Sequence, residues 1–134
     1  LDIIMAQRLV RRLCDKCKKP VPVDEKLRMY LEKEFKGVDK EYLAGYFADG
    51  QIPQTVYEPV GCEHCKDGFK GRMAIFEAIL VTEDLRNIIV KDYTEDRLYE
   101  YLRSNNFVTM KQDGLTKALK GFLSVEELLT SIDV

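Results

Sequence analysis

Apolar residues near the start of the chain fall at Ile3, Ile4, Leu9, Val10 and Leu13, with Gln7, Arg8 and Arg11 between them. This rhythm predicts a helix that runs into Cys14. Pro20 and Pro22 then force an extended exit, because proline fixes φ and restricts the residue before it. Asp24 is the predicted N-cap of a helix with Leu27, Tyr30, Leu31 and Phe35 on one face, closed by Gly37. A second, shorter helix is predicted from about Asp39, with Leu43, Tyr46 and Phe47 apolar, stopping by Gly50. Residues 52–60 read as extended, through Pro53, Thr55, Val56, Tyr57 and Pro59. From Arg72 to Val81 the β-branched and aromatic content predicts a strand.

The last third carries helix punctuation. Thr82-Glu83-Asp84 opens one predicted helix with Leu85, Ile88 and Ile89 inward, and Thr94-Glu95-Asp96 opens another with Leu98, Tyr101 and Leu102 inward. A third carries Met110, Leu115 and Leu119 and ends at Gly121. Ser124-Val125-Glu126-Glu127 reads as a capping box before a final helix. The predicted fold class is therefore α+β, mainly α, with a short β segment and a C-terminal helical bundle.

Composition narrows the function classes. At 134 residues, 46% hydrophobic and 33% charged, the chain can bury a core of its own. A net charge of -2 lacks the basic excess that accompanies general nucleic-acid binding, so no nucleic-acid partner is expected. The longest apolar stretch, Ala74 to Val81, is interrupted by Glu77 and too short to span a bilayer. Nothing resembles a signal peptide, so a reducing cytoplasm is expected, where paired cysteines are more often metal ligands than disulfides. The chain also opens without Met, inside a predicted helix, as a piece of a longer protein would.

Chemistry concentrates in Cys14-Asp15-Lys16-Cys17 and Cys62-Glu63-His64-Cys65. Each Cys-x-x-Cys turn presents two sulfurs to one ion, and two turns complete a tetrahedral sulfur shell. Cys14, Cys17, Cys62 and Cys65 are the candidate ligands of one Zn²⁺. Four sulfurs leave no position for water or substrate, so the ion is expected to be structural. The same four also suit a rubredoxin-type iron, and a dithiol redox pair or disulfides are further uses of such cysteines. His64 lies inside a complete pair and reads as an exposed knuckle residue. Arg11, Arg12, Lys16, Lys18 and Lys19 flank the first pair, either as a solvated basic face or as an offset to the charge of a tetrathiolate centre. No GxxxxGK[ST] loop, no HExxH and no Ser/His/Asp set occurs, and His64 is the sole histidine. Read from the residues alone, this is a zinc-stapled, mainly helical accessory domain.

A family resemblance goes further. Residues Ala6-Gln7-Arg8-Leu9-Val10-Arg11-Arg12-Leu13-Cys14-Asp15-Lys16-Cys17 resemble the passage from motor core to tetracysteine domain in type II secretion and type IV pilus assembly ATPases. Similar likenesses hold for Gly61-Cys62-Glu63-His64-Cys65, for Gly68-Phe69-Lys70-Gly71-Arg72 with the strand Met73–Glu77, and for the tail from Met110 through Leu128.

That resemblance implies a C-terminal fragment of a hexameric cytoplasmic ATPase, peripheral to the bacterial inner membrane. Residues 1–13 would end the ATPase core, 14–81 would form the tetracysteine zinc subdomain, and 82–134 a helical subdomain. It implies ATP and Mg²⁺ as cofactors of the full-length parent only, so this fragment is not expected to be catalytic alone. The implied partners are the remainder of the ATPase, its hexamer neighbours, and an inner-membrane platform protein of the pilus or secretion machine. Arg8 and Arg72 would face nucleotide or a neighbouring subunit, with surface ion pairing or charge offset near the metal as the plainer reading. A free-standing zinc-ribbon adaptor binding nucleic acid or protein is the alternative from another class.

Overall fold

The computed structural model of the protein describes residues 2–132. Leu1, Asp133 and Val134, the outer ends of the expected segments 1–13 and 82–134, lie outside the described residues. Along the chain run β1 (Asp2–Leu13), β2 (Lys19–Pro22), α1 (Glu25–Glu34), α2 (Lys40–Tyr46), a 3₁₀ turn (Ala48–Gly50), β3 (Thr55–Glu58) and β4 (Phe69–Val81). Four helices follow: α3 (Glu83–Lys91), α4 (Glu95–Ser104), α5 (Met110–Leu119) and α6 (Val125–Ile132). The class is α+β, as expected.

The predicted first helix is absent. Residues 2–13 form strand β1, antiparallel to β4, from Asp2 opposite Val81 to Leu13 opposite Phe69. Cys14 therefore follows a strand, and the Arg72–Val81 strand gains a long partner and starts earlier, at Phe69. Local propensity yields here to pairing with a segment distant in sequence, from Leu13 with Phe69 to Asp2 with Val81. One ribbon face, with Arg8, Val10, Met73 and Ile75, turns toward the core; Val10 is 1% exposed and Ile75 0%. The opposite face is also apolar but uncovered: Ile3, Met5 and Leu9 beside Ala74, Phe76, Ala78 and Leu80. Apolar residues on both faces erase the two-residue alternation that betrays a half-buried strand.

Capping explains most of the helix boundaries. Asp24 accepts the Leu27 N–H at 2.7 Å, Thr82 that of Leu85 and Thr94 that of Arg97. Thr109 and Gln112 make a reciprocal capping box at α5. At α6 only half of the predicted box forms. Ser124 Oγ accepts the Glu127 N–H, but the Glu127 carboxylate turns away to a bidentate pair with Arg11 at 2.7 and 3.0 Å. Leu85 is buried and Ile88 half-buried as expected on α3, but Ile89 is 48% exposed, because this short helix packs mainly on α4.

The core lies where α1, α5 and α6 meet the inner ribbon face. Leu31, Phe35, Ile75, Leu115, Leu119, Leu123 and Leu128 close it. Side chains of α5 also satisfy the outer edge of β4: Asp113 accepts the Phe76 N–H at 2.8 Å and Lys117 donates to the Ala74 carbonyl at 2.8 Å. Among the described residues, no strand pairs with the outer edge of β1. The 44 residues between the cysteine pairs fold as α1, α2, the 3₁₀ turn and the β2–β3 pair, and their Leu31, Phe35, Phe47 and Val56 join the common core. Among the described residues no helix is long and apolar enough to cross a membrane.

Candidate metal centre

Two loops converge at one end of the β1–β4 ribbon. The first leaves β1 at Leu13, whose N–H is held by the Phe122 carbonyl at 2.9 Å, and the Cys14 N–H is held by Gly68 at 2.9 Å. Lys18 closes the first turn from the other side. Its N–H donates to Cys14 O, and its ammonium reaches Asp15 at 3.3 Å and Gly121 O at 3.0 Å. Gly121, at φ +92, ends α5 where the predicted stop lies.

The second loop is fixed by a tight turn that the sequence analysis above does not identify. Lys66 and Phe69 exchange backbone hydrogen bonds at 3.0 Å around Asp67 (φ 55) and Gly68 (φ 95). Two central residues with positive φ make a type I′ hairpin turn, for which Asp-Gly is a known sequence signal. Gly68 also touches the incoming backbone: an added Cβ would stand 2.9 Å from Pro59 Cα and 3.0 Å from Val60 N. One glycine thus ties Cys14 to the segment that delivers Cys62.

The four sulfurs predicted as ligands come together. Cys14 Sγ lies 3.8 Å from Cys62 Sγ, Cys17 Sγ 3.7 Å from Cys65 Sγ, and Cys62 Sγ 3.6 Å from Cys65 Sγ. All four ligand atoms fall within 4.8 Å of one another. Bonds of ~2.3 Å to a tetrahedral ion place sulfurs about 3.8 Å apart, whereas a disulfide needs ~2.05 Å. The cysteines are unbridged, and their spacing can hold one metal ion.

Backbone N–H groups point at several of the sulfurs, but the sulfurs also crowd one another. A hydrogen bond from the Lys16 N–H holds the Cys14 thiol down to about 7, against burial and with help from the Cys17 N–H. The His64 N–H acts likewise on Cys62, but desolvation and contacts with the other three sulfurs outweigh it and push that thiol up to about 12. Gly61 adds an N–H to Cys17 Sγ at 3.4 Å. Four adjacent thiols cannot all ionise unaided; a cation between them removes that conflict.

The flanking charges divide. Arg11 serves the fold, pairing with Glu127 and lying over the Phe69 ring at 4.2 Å. Arg12 lies 3.6 Å from Asp15 and over Phe122. Lys16 stays beside Cys14, and Lys19 leads away on β2. His64 is half-exposed, 3.4 Å from Glu63, as a knuckle residue would be. Arg8 donates to the Ser131 carbonyl at 3.0 Å and so caps the last turn of α6. Arg72 lies apart from Arg8, at the rim of a hollow beside Cys14.

The family model described as "Type II/IV secretion system protein" matches residues 1–130. The chain is similar to the type IV pilus assembly ATPase PilB of Acinetobacter baylyi, 34% identical over 128 residues, covering 96% of this chain and 20% of that protein. PilB of Pseudomonas aeruginosa is 33% identical with the same coverages. Type II secretion system protein E of Aeromonas hydrophila is 33% identical over 127 residues, covering 94% of this chain and 22% of that protein. The chain thus spans about a fifth of the length of these relatives. A match running through both cysteine loops, the ribbon and α3–α6 makes this chain a member of the type II/IV secretion system protein family.

Proposed function

We propose that this chain is the zinc-stapled C-terminal portion of a motor ATPase that drives type IV pilus assembly or type II secretion. The sulfur geometry carries the reading: spacings of 3.6–3.8 Å suit one tetrahedral ion, and the loops that set them lie within the family match. Cys14, Cys17, Cys62 and Cys65 would hold Zn²⁺, which supplies cross-linking and no open coordination position. The ion's role is to lock the β1 exit against the turn before β4.

Residues 1–13 would close the ATPase core, 14–81 form the zinc subdomain and 82–134 the helical subdomain. The uncovered ribbon face of Ile3, Met5, Leu9, Phe76 and Leu80 and the unpaired edge of β1 support contact with that core. In the full-length protein, ATP and Mg²⁺ would be bound outside this chain. The whole motor would work as a cytoplasmic hexamer against an inner-membrane platform protein.

The test is made in the full-length protein. The double variant Cys14→Ser/Cys62→Ser is expected to lose pilus assembly or secretion while still binding nucleotide. Assembly at the wild-type rate by the metal-free variant contradicts the reading. A zinc-ribbon adaptor would instead keep its partner binding as an isolated chain and have no ATPase in the same polypeptide.

A further inference from the structure

Beside the cysteine centre, β4 carries a bulge. Arg11 pairs with Arg72 and Leu13 with Phe69, so Lys70 and Gly71 together stand opposite Arg12 alone. Gly71 takes φ +78, and a Cβ there would meet nothing within 4 Å. Bulges of this kind bend a strand and re-aim its side chains. Arg12, Lys70 and Arg72 line a hollow of about 390 Å³ there, together with Lys16 from the first cysteine loop. Four fixed cations meet one carboxylate there, Asp15, in a chain whose net charge is -2.

Among the described residues, Arg12 alone of these four has an ion-pair partner, Asp15. Among the described residues, Lys16, Lys70 and Arg72 make no ion pair, and their side chains make no hydrogen bond. By contrast, Arg8, Arg11, Lys18 and Lys117 are all tied into the fold. A tetrathiolate zinc carries two negative charges, and the hollow stays positive even with that centre in place. Charge offset of the metal therefore does not use up these cations. Nor does the fold require them, since the hollow is open to solvent and the bulge glycine leaves its backbone accessible.

We infer that this hollow binds a phosphate-bearing anion. The chemistry fits the class: Arg12 and Arg72 present planar forks that match phosphate oxygens, Lys16 and Lys70 add point charges, and Gly71 admits close approach of the anion to backbone. A concave site of this size suits a compact polyanion better than a flat acidic protein surface. The phosphate could belong to a soluble ligand or to a lipid headgroup, and the same four residues would hold either. This inference is independent of the motor reading.

The test uses the metal-loaded chain at low ionic strength. Calorimetric titration with pyrophosphate is expected to give saturable one-to-one binding, and flotation with phosphatidylglycerol vesicles forms the second arm. Lys70→Ser/Arg72→Ser is expected to weaken binding at least about tenfold, the loss of one charge-assisted contact or more. Metal content and melting temperature should not change, and a distant control, Lys33→Ser/Lys36→Ser, should bind as wild type. Variant-sensitive binding in the pyrophosphate arm assigns a soluble ligand; in the vesicle arm alone, it assigns a headgroup. No binding in either arm, or binding that the double variant retains, overturns the proposal. So does loss of metal in the double variant, which would make the cations part of the metal centre.

Discussion

Replacing Gly68 with alanine tests how the two cysteine loops are held together. Gly68 sits at φ +95, so a side chain there costs roughly 1–2 kcal/mol in backbone conformation. Its Cβ would also meet Pro59 Cα at 2.9 Å and Val60 N at 3.0 Å. Both are backbone atoms that no rotamer change can move, and such overpacking costs about 1–3 kcal/mol. Reduced freedom of the unfolded chain returns about 0.4–1 kcal/mol. The net expectation is destabilisation by about 2–4 kcal/mol, or roughly 8–15 °C in melting temperature for a chain of this size. Gly37→Ala is the control, because Gly37 has φ +84 but open space around it. It should lose only the conformational part, about 1 kcal/mol. Thermal and urea unfolding of both variants, metal-loaded, measure the difference. Equal losses would show that Gly68 makes no close approach and that the hydrogen bond to Cys14 alone positions the loops.

Three further outcomes follow from the packing and the charges. Gly114→Ala should destabilise by about 1–2 kcal/mol despite alanine's better helix propensity, read by urea unfolding, because its methyl would overlap Leu128 Cδ1 and stand 3.0 Å from Cδ2 in a fully buried site. The cost should shrink in a Leu128→Ala background, and additivity of the two substitutions would contradict the contact. Arg11 holds the Glu127 carboxyl below the usual carboxylate range, so the pair's contribution is complete above that range and is lost as pH falls through the lowered value. Melting curves of wild type and Glu127→Gln should therefore differ at neutral pH and converge in acid; a gap that widens in acid would reverse the assignment. The purified chain should show no ATP turnover above blank, since it contains no phosphate loop, and turnover that survives further purification would place a nucleotide site within these residues.

Much of this molecule was legible because its signals are local. Asp24, Thr82, Thr94 and Ser124 mark helix starts through hydrogen bonds to residues three positions on. The two Cys-x-x-Cys turns announce their chemistry in four residues each. Strand β1 was not legible, because its partner lies in β4 and its outward face keeps Ile3, Met5 and Leu9 uncovered. Such a strand shows no alternation, and its arginines and glutamine favour a helix when read alone. The Asp67-Gly68 turn was within reach, as a short-range hairpin signal directly after the second cysteine pair. The bulge at Lys70-Gly71 was not, because it exists only relative to the register of Arg11 and Leu13 on the other strand.

One zinc ion is expected to lock two loops whose cysteines are 48 residues apart in sequence. Closing a loop of that length without a staple costs chain entropy, and a clip of this kind is worth about 3–4 kcal/mol. Metal-binding free energy should therefore appear as folding free energy. The decisive measurement is elemental analysis of the purified chain together with its melting temperature before and after complete chelation. The expected result is one zinc per chain and a fall of more than about 10 °C on removal. An unchanged melting temperature in the metal-free chain would contradict the structural role, and stoichiometric iron in place of zinc would redirect the centre toward electron transfer.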